Sequence, residues 1–157
     1  MVQFLYLTKE HEAELESVKQ LFREYTESLG LDLGFQDFEA ECESLPGKYA
    51  APDGALILAL VDGEAAGCIA LRKSEERICE MKRLYVRNRY RGLKIGRALV
   101  QKVIETAEQL PYDFMRLDTL ATMTSAHALY RASGFYETTP YIYNPLEGAM
   151  FMERKLR

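Results

Sequence analysis

What the chain has little of narrows its chemistry first. Only His11 and His127 could offer imidazoles, and Cys42, Cys68 and Cys79 lie far apart with no CxxC pair. A structural zinc cluster is therefore not expected, and the metal expectation is none. An odd number of separated cysteines favours reduced thiols in a cytoplasmic protein over a disulfide framework. Cys68 and Cys79, in apolar strand-like stretches, read as small core residues. No apolar run approaches the ~20 residues of a membrane span. The opening MVQFLYLTKE is too short in apolar residues for a signal peptide. GxxxxGK[ST] and GxGxxG are both missing, which removes a P-loop and a dinucleotide fingerprint.

What is present suits one globular domain over residues 1–157. Hydrophobic residues make up 48% of the chain and charged residues 28%, a balance that argues against disorder. The net charge of −4 gives no general attraction to nucleic acid or a membrane surface, so neither is expected as a partner.

The hydrophobic pattern changes type along the chain. Val2 to Leu7 alternates as a strand, with Thr8 as the expected cap of the next helix. Leu15, Val18, Leu21, Phe22 and Tyr25 recur at helical spacing up to Gly30. A short helix is expected around Phe38 to Leu45. Ala55 to Val61 and Ala66 to Arg72 flank Asp62-Gly63 as a hairpin, and Ile78 to Val86 follows as a strand. A helix from Ile95 to about Gln109, a strand over Phe114 to Leu120 and a helix over Thr124 to Ser133 come next. Two strands flanking the turn at Asn144 to Gly148 close the chain. The expected fold is α/β: a mixed, mostly antiparallel sheet of six to seven strands, helices on both faces, and one parallel strand–helix–strand crossover.

Candidate chemistry concentrates where the strand ending at Val86 gives way to the helix starting near Ile95. From Met81 through Ile104 there are basic residues and no acidic ones, in a chain that is net acidic. A glycine-bearing loop feeding a helix N-terminus suits a diphosphate. Unpaired N–H groups and the helix dipole face the anion, and glycine lets the backbone approach closely. Ordinary surface charge explains Arg87 or Lys102 taken singly, and is the weaker reading of the whole acid-free cluster.

These segments resemble the GNAT family, the GCN5-related N-acetyltransferases. Glu80 to Val86 followed by Arg91-Gly92-Leu93-Lys94-Ile95-Gly96-Arg97-Ala98-Leu99 is similar to that family's fourth strand and acyl-CoA loop. Ala128-Leu129-Tyr130 with Gly134-Phe135 is similar to its later helix motif. Tyr143-Asn144-Pro145 with Phe151-Met152-Glu153 resembles a closing hairpin of one branch. Two positions depart from the pattern: Lys94 stands where glycine is usual, and Met123 where asparagine is common.

The resemblance implies acetyl-CoA as co-substrate and an N-acetyltransferase reaction of the EC 2.3.1 class on a small-molecule or peptide amine. A non-catalytic acyl-CoA-binding sensor or interaction domain is the open alternative, and a homodimer is compatible with either. Leu84, Tyr85 and Val86 would pair with the pantetheine arm as if it were an added strand. The amides of Arg91, Gly92, Leu93, Lys94, Ile95, Gly96 and Arg97 would hold the diphosphate. Tyr130 would face the thioester sulfur as general acid, and Glu80 is the candidate base, acting through water. Simple alternation puts Glu80 on the face of Leu84 and Val86, an assignment that a bulge would reverse. Asp32, Asp37, Glu39, Glu41 and Glu43, with Glu24 and Glu27, suggest an acidic wall and a cationic acceptor; a solvated helix face explains the same residues.

Overall fold

A computed structural model describes residues 1–30 and 38–157. The elements in chain order are β1 (Val2–Tyr6), α1 (Glu12–Leu29), α2 (Phe38–Ser44), β2 (Ala55–Val61), β3 (Glu64–Glu75), β4 (Ile78–Val86), α3 (Ile95–Glu108), β5 (Phe114–Leu120), α4 (Thr124–Ala132), β6 (Tyr136–Thr138) and β7 (Ala149–Lys155). The strands form one seven-stranded sheet in the order β1-β2-β3-β4-β5-β7-β6. Every neighbouring pair is antiparallel except β4 and β5, which α3 connects as a parallel crossover.

Strand alternation sends side chains to two cores. On one face Ile57, Ile69, Leu71, Met81, Met115 and Met152 pack with Leu99, Val103 and Ile104 of α3 and Tyr130 of α4. On the other face Leu56, Leu58, Cys68 and Ala70 pack under Leu15, Val18, Leu21 and Phe22 of α1 and Phe38 and Cys42 of α2. The period of 3.6 in the helices and of 2 in the strands produces this division. All three cysteines are buried free thiols, and burial raises Cys79 to about 12, so they stay protonated and unreactive.

Several boundaries differ from the sequence reading. His11, not Thr8, occupies the N-cap of α1, and its Nδ1 accepts the Thr8 N–H at 2.9 Å. β3 runs on to Glu75 because charged residues at its end pair across the sheet: Arg116 Nη1 lies 3.0 Å from Glu75 Oε2. At the C-terminus β7 inserts between β5 and β6, so β6 ends at Thr138, well before the turn at Asn144 to Gly148.

Two irregularities in β4 shape the site. Its pairing with β5 spans only Ile78↔Phe114 to Glu80↔Arg116, and beyond that point the strands part. Its pairing with β3 slips between Cys68↔Tyr85 and Ala70↔Lys82, leaving Arg83 and Leu84 opposite Ile69. Arg83 takes φ 61°, the left-handed conformation of a bulge.

Candidate active site

Parting of β4 from β5 leaves the β5-facing edge of Met81–Val86 without a strand partner, while the other edge stays bonded to β3 as far as Gly67↔Val86. A groove of about 260 Å³ follows this edge, lined by Leu84, Tyr85 and Val86, by the turn Arg91–Gly96, and by Met123 and Leu129. A smaller cavity of about 50 Å³ sits in the fork between β4 and β5, lined by Lys82, Leu84, Asp118, Tyr130 and Asn144 among others. Tyr25, Leu29, Leu84 and Met123 line both, so groove and cavity form one cleft.

The groove ends at the N-terminus of α3. Gly92 at φ 94° turns the chain, and Lys94 at φ 60° is the N-cap residue. Lysine in this conformation costs about 1 kcal/mol relative to glycine. The first intrahelical bond runs from Ala98 N–H to the Lys94 carbonyl. Among the described residues no acceptor takes the N–H groups of Gly92 through Arg97. That arrangement is a preformed anion cradle at the positive end of a 14-residue helix. Gly96 faces Val86 and Leu129, and a Cβ there would reach ordinary contact with both, so glycine keeps the groove open at this point.

The basic stretch of the sequence does not form one patch. Arg87 donates to Glu24 at 2.7 and 2.9 Å, and Arg89 pairs with Glu64. The Arg87 bonds, with its charge, outweigh burial and hold the Glu24 carboxyl below its ordinary value. Arg91, Lys94 and Arg97 remain around the turn. Lys82 and Arg83 lie on the α1/α2 face of the sheet.

Tyr130 is on the buried side of α4, against Phe135 at a ring-centroid distance of 6.0 Å, and lines the small cavity. Burial, reinforced by Tyr25 and Asp118, pushes its hydroxyl well above the usual value of 10, so it keeps its proton at neutral pH. Glu80 corrects the alternation count. The bulge at Arg83 puts it opposite Arg72, on the α1/α2 face, whereas Leu84 and Val86 pack on the α3 face. It is fully buried; its Oε1 accepts Arg72 at 2.7 Å and its Oε2 accepts the Tyr141 hydroxyl at 2.8 Å. Both of its oxygens are engaged, and unlike Asp118 and Tyr130 it does not line the cavity.

The acidic wall is also redistributed. Glu41 is buried, and Arg83 donates two bonds to it at 2.9 and 3.1 Å, with Lys48 at 3.4 Å. Burial alone would raise its carboxyl, but the Arg83 bonds and charge outweigh that and hold it below 4.5. Glu27, Glu39 and Glu43 are exposed, and Asp32 and Asp37 lie outside the described residues. The acid that does line the cavity is Asp118, which accepts Asn144 Nδ2 at 3.1 Å. It went unselected in the sequence, although the alternation of Arg116 and Asp118 with Met115 and Leu117 marks it as facing away from the α3 core. Lys82, inside the basic stretch, carries no separate signal in the sequence.

Comparisons with known proteins bear on this cleft. The profile of the Acetyltransferase (GNAT) family matches residues 15–135. An uncharacterized N-acetyltransferase of Schizosaccharomyces pombe is 40% identical over 145 residues, covering 91% of this chain and 89% of that protein. Human N-acetylaspartate synthetase is 38% identical over 89 residues, 55% of this chain and 30% of that protein. The crystal structure of the PaiA N-acetyltransferase of Thermoplasma acidophilum in complex with coenzyme A superposes with a TM-score of 0.75 at 18% identity, covering 99% of each chain.

Proposed function

The chain belongs to the Acetyltransferase (GNAT) family, and from that premise we propose that it transfers an acetyl group from acetyl-CoA to the amine of a small acceptor. One observation carries the reading: an unpaired strand edge and a set of free helix-terminal amides, joined by a short turn over Asn88–Tyr90, lie along one groove. An extended pantetheine chain matches the first by adding as a strand, and a diphosphate matches the second. The coenzyme A complex of the PaiA protein and the activity named for the human synthetase support a coenzyme A donor and a small amine acceptor.

In this proposal Leu84 to Val86 bind the donor's arm through their backbone, and the amides of Gly92 to Arg97 hold its phosphates, with Arg91, Lys94 and Arg97 adding charge. Acetyl-CoA supplies an acetyl thioester at the fork between β4 and β5. An alkyl amine is nearly all protonated at pH 7, and freeing its lone pair costs about 4–5 kcal/mol. Asp118, facing the cavity, receives that proton and passes it to solvent before the next turnover. The neutral nitrogen then bonds to the thioester carbonyl carbon, and the carbon–sulfur bond breaks. Tyr130 gives its hydroxyl proton to the departing sulfur, and the proton lost by the new amide returns through solvent to restore Tyr130. A strand N–H near Leu84 polarises the carbonyl. No enzyme thiol takes part, since burial keeps Cys68 and Cys79 protonated.

Release of free thiol from acetyl-CoA against a panel of amines tests this. Calorimetry with acetyl-CoA, alone and after Gly92→Val, tests the cradle. Absence of acetyl-CoA binding would sink the reading. Binding without thiol release toward any amine would favour the non-catalytic alternative.

A further inference from the structure

The α1/α2 face of the sheet carries a layer of charges under the acceptor end of the cleft. Most are tightly matched. Arg72 holds Glu80 at 2.6 Å, Arg83 holds Glu41 at 2.9 Å, and Arg116 holds Glu153 at 2.9 Å. Lys82 is the exception. Its side chain is only 8% exposed, yet its Nζ is 3.7 Å from Asp118 and 3.9 Å from Glu80, beyond hydrogen-bonding distance of either. Among the described residues none accepts a bond from it, and the side chain lines the cavity that Tyr130 also lines.

The Lys82 ammonium opens onto the cavity, so an incoming anionic group can supply the close acceptors that no described side chain gives it. A simple cation entering the cavity meets Lys82 at close range, and Asp118, already 3.7 Å from Lys82, offsets only part of the repulsion. A group bearing both signs meets no such barrier. Its anionic end gives Lys82 the acceptors it lacks, and its ammonium takes the place of Lys82 beside Asp118. The cavity of about 50 Å³ suits this division of labour. Since about 10–15 Å³ of such space holds one water, it has room for a carboxylate-sized group, with the rest of the acceptor extending from it.

We infer that Lys82 and Asp118 make this a site for a zwitterionic acceptor, a free amino acid whose carboxylate pairs with Lys82 while its amine is presented beside Asp118 to the thioester. The inference rests on the acetyltransferase reading above and narrows its acceptor from any amine to one carrying a carboxylate nearby. It replaces the cationic acceptor suggested by the acidic segments of the sequence. Peptide N-termini and diamines lack the anionic group and are disfavoured.

The test is calorimetry on the protein saturated with coenzyme A, titrated with the free proteinogenic amino acids, their carboxamides, and putrescine. At least one free amino acid should bind about 10- to 100-fold more tightly than its carboxamide, as expected for a hydrogen bond to a charged group, with putrescine weaker still. Lys82→Gln should abolish that acid-over-amide difference while coenzyme A affinity changes less than about twofold. Equal binding of acid and amide, no binding by any free amino acid, or a preference that survives Lys82→Gln would overturn the inference. Should the variant fail to fold, the wild-type comparison decides alone. A protein that binds no coenzyme A would instead refute the acetyltransferase reading, so the two failures are told apart.

Discussion

The two halves of β4 are built from the same kind of sequence and serve opposite ends. From Ile78 to Glu80 the strand is bonded on both sides, to β3 and to β5, and Cys79 is sealed into the α3 core. From Met81 to Val86 it is bonded on one side only, carries a bulge at Arg83, and opens onto the cleft. On the proposed reading, binding capacity lies where a backbone edge is withheld from the sheet. The closed half contributes stability, and the open half gives up pairing to leave an edge available to a ligand.

Substitutions can break this division, taken from the largest expected effect to the smallest. Glu41→Gln would strand the Arg83 guanidinium in the core beneath the open half and should lower unfolding stability by about 4 kcal/mol in urea titrations. The same pair sets a pH dependence. Glu41 is a stronger acid folded than unfolded, so its contribution is complete above its ordinary value of 4.5 and drains away as pH falls through its lower folded value. Melting curves from pH 6 to pH 3 should show the wild type losing stability over this range and Glu41→Gln losing less.

In the closed half, Met115→Ala opens a cavity in a fully buried position opposite Cys79 and should cost about 3 kcal/mol. It should leave the acetyl-CoA dissociation constant of the folded protein unchanged. Tyr130→Phe should do the reverse. Turnover should fall about 100-fold, equivalent to about 2.7 kcal/mol of transition-state stabilisation, with acetyl-CoA binding intact. If Tyr130→Phe unfolds the protein while turnover per folded molecule holds, the assignment of chemistry to the open half is wrong.

Backbone conformation at the cradle gives smaller effects. Gly92→Val places a β-branched residue at φ 94° and should weaken acetyl-CoA about tenfold by calorimetry. Lys94→Gly relieves left-handed strain and should raise unfolding stability by about 0.5–1 kcal/mol. Loss of one phosphate-facing charge should offset part of any gain in donor affinity.

Local signals were legible because they depend on near neighbours. The helical stripe Leu15, Val18, Leu21 and Phe22, the Asp62-Gly63 turn and the switch to a helix at Ile95 follow from periodicity and turn chemistry, and the structure contains each. Positions of the candidate residues Leu84 to Val86, Arg91, Gly92 and Lys94 to Gly96 along one cleft also follow from chain order, since a strand and the helix after it are adjacent by connectivity. The face taken by Glu80 was not legible. It depends on a single bulge at Arg83, and the pull that stabilises that bulge, the pairing of Arg83 with Glu41, comes from a helix 42 residues away.

By itself, then, the amino-acid order determined which elements form, in what sequence, and where a strand yields to a helix with glycine at the turn. Tertiary structure alone decided which charges find partners. Glu24, Glu41, Glu80, Arg72, Arg83 and Arg87 are spent on one another, while Lys82 and Asp118 are left loosely matched at the cavity. The reason is physical: periodicity acts between residues close in the chain, whereas a buried charge is satisfied by whatever the packing brings within about 3 Å, from anywhere in the sequence.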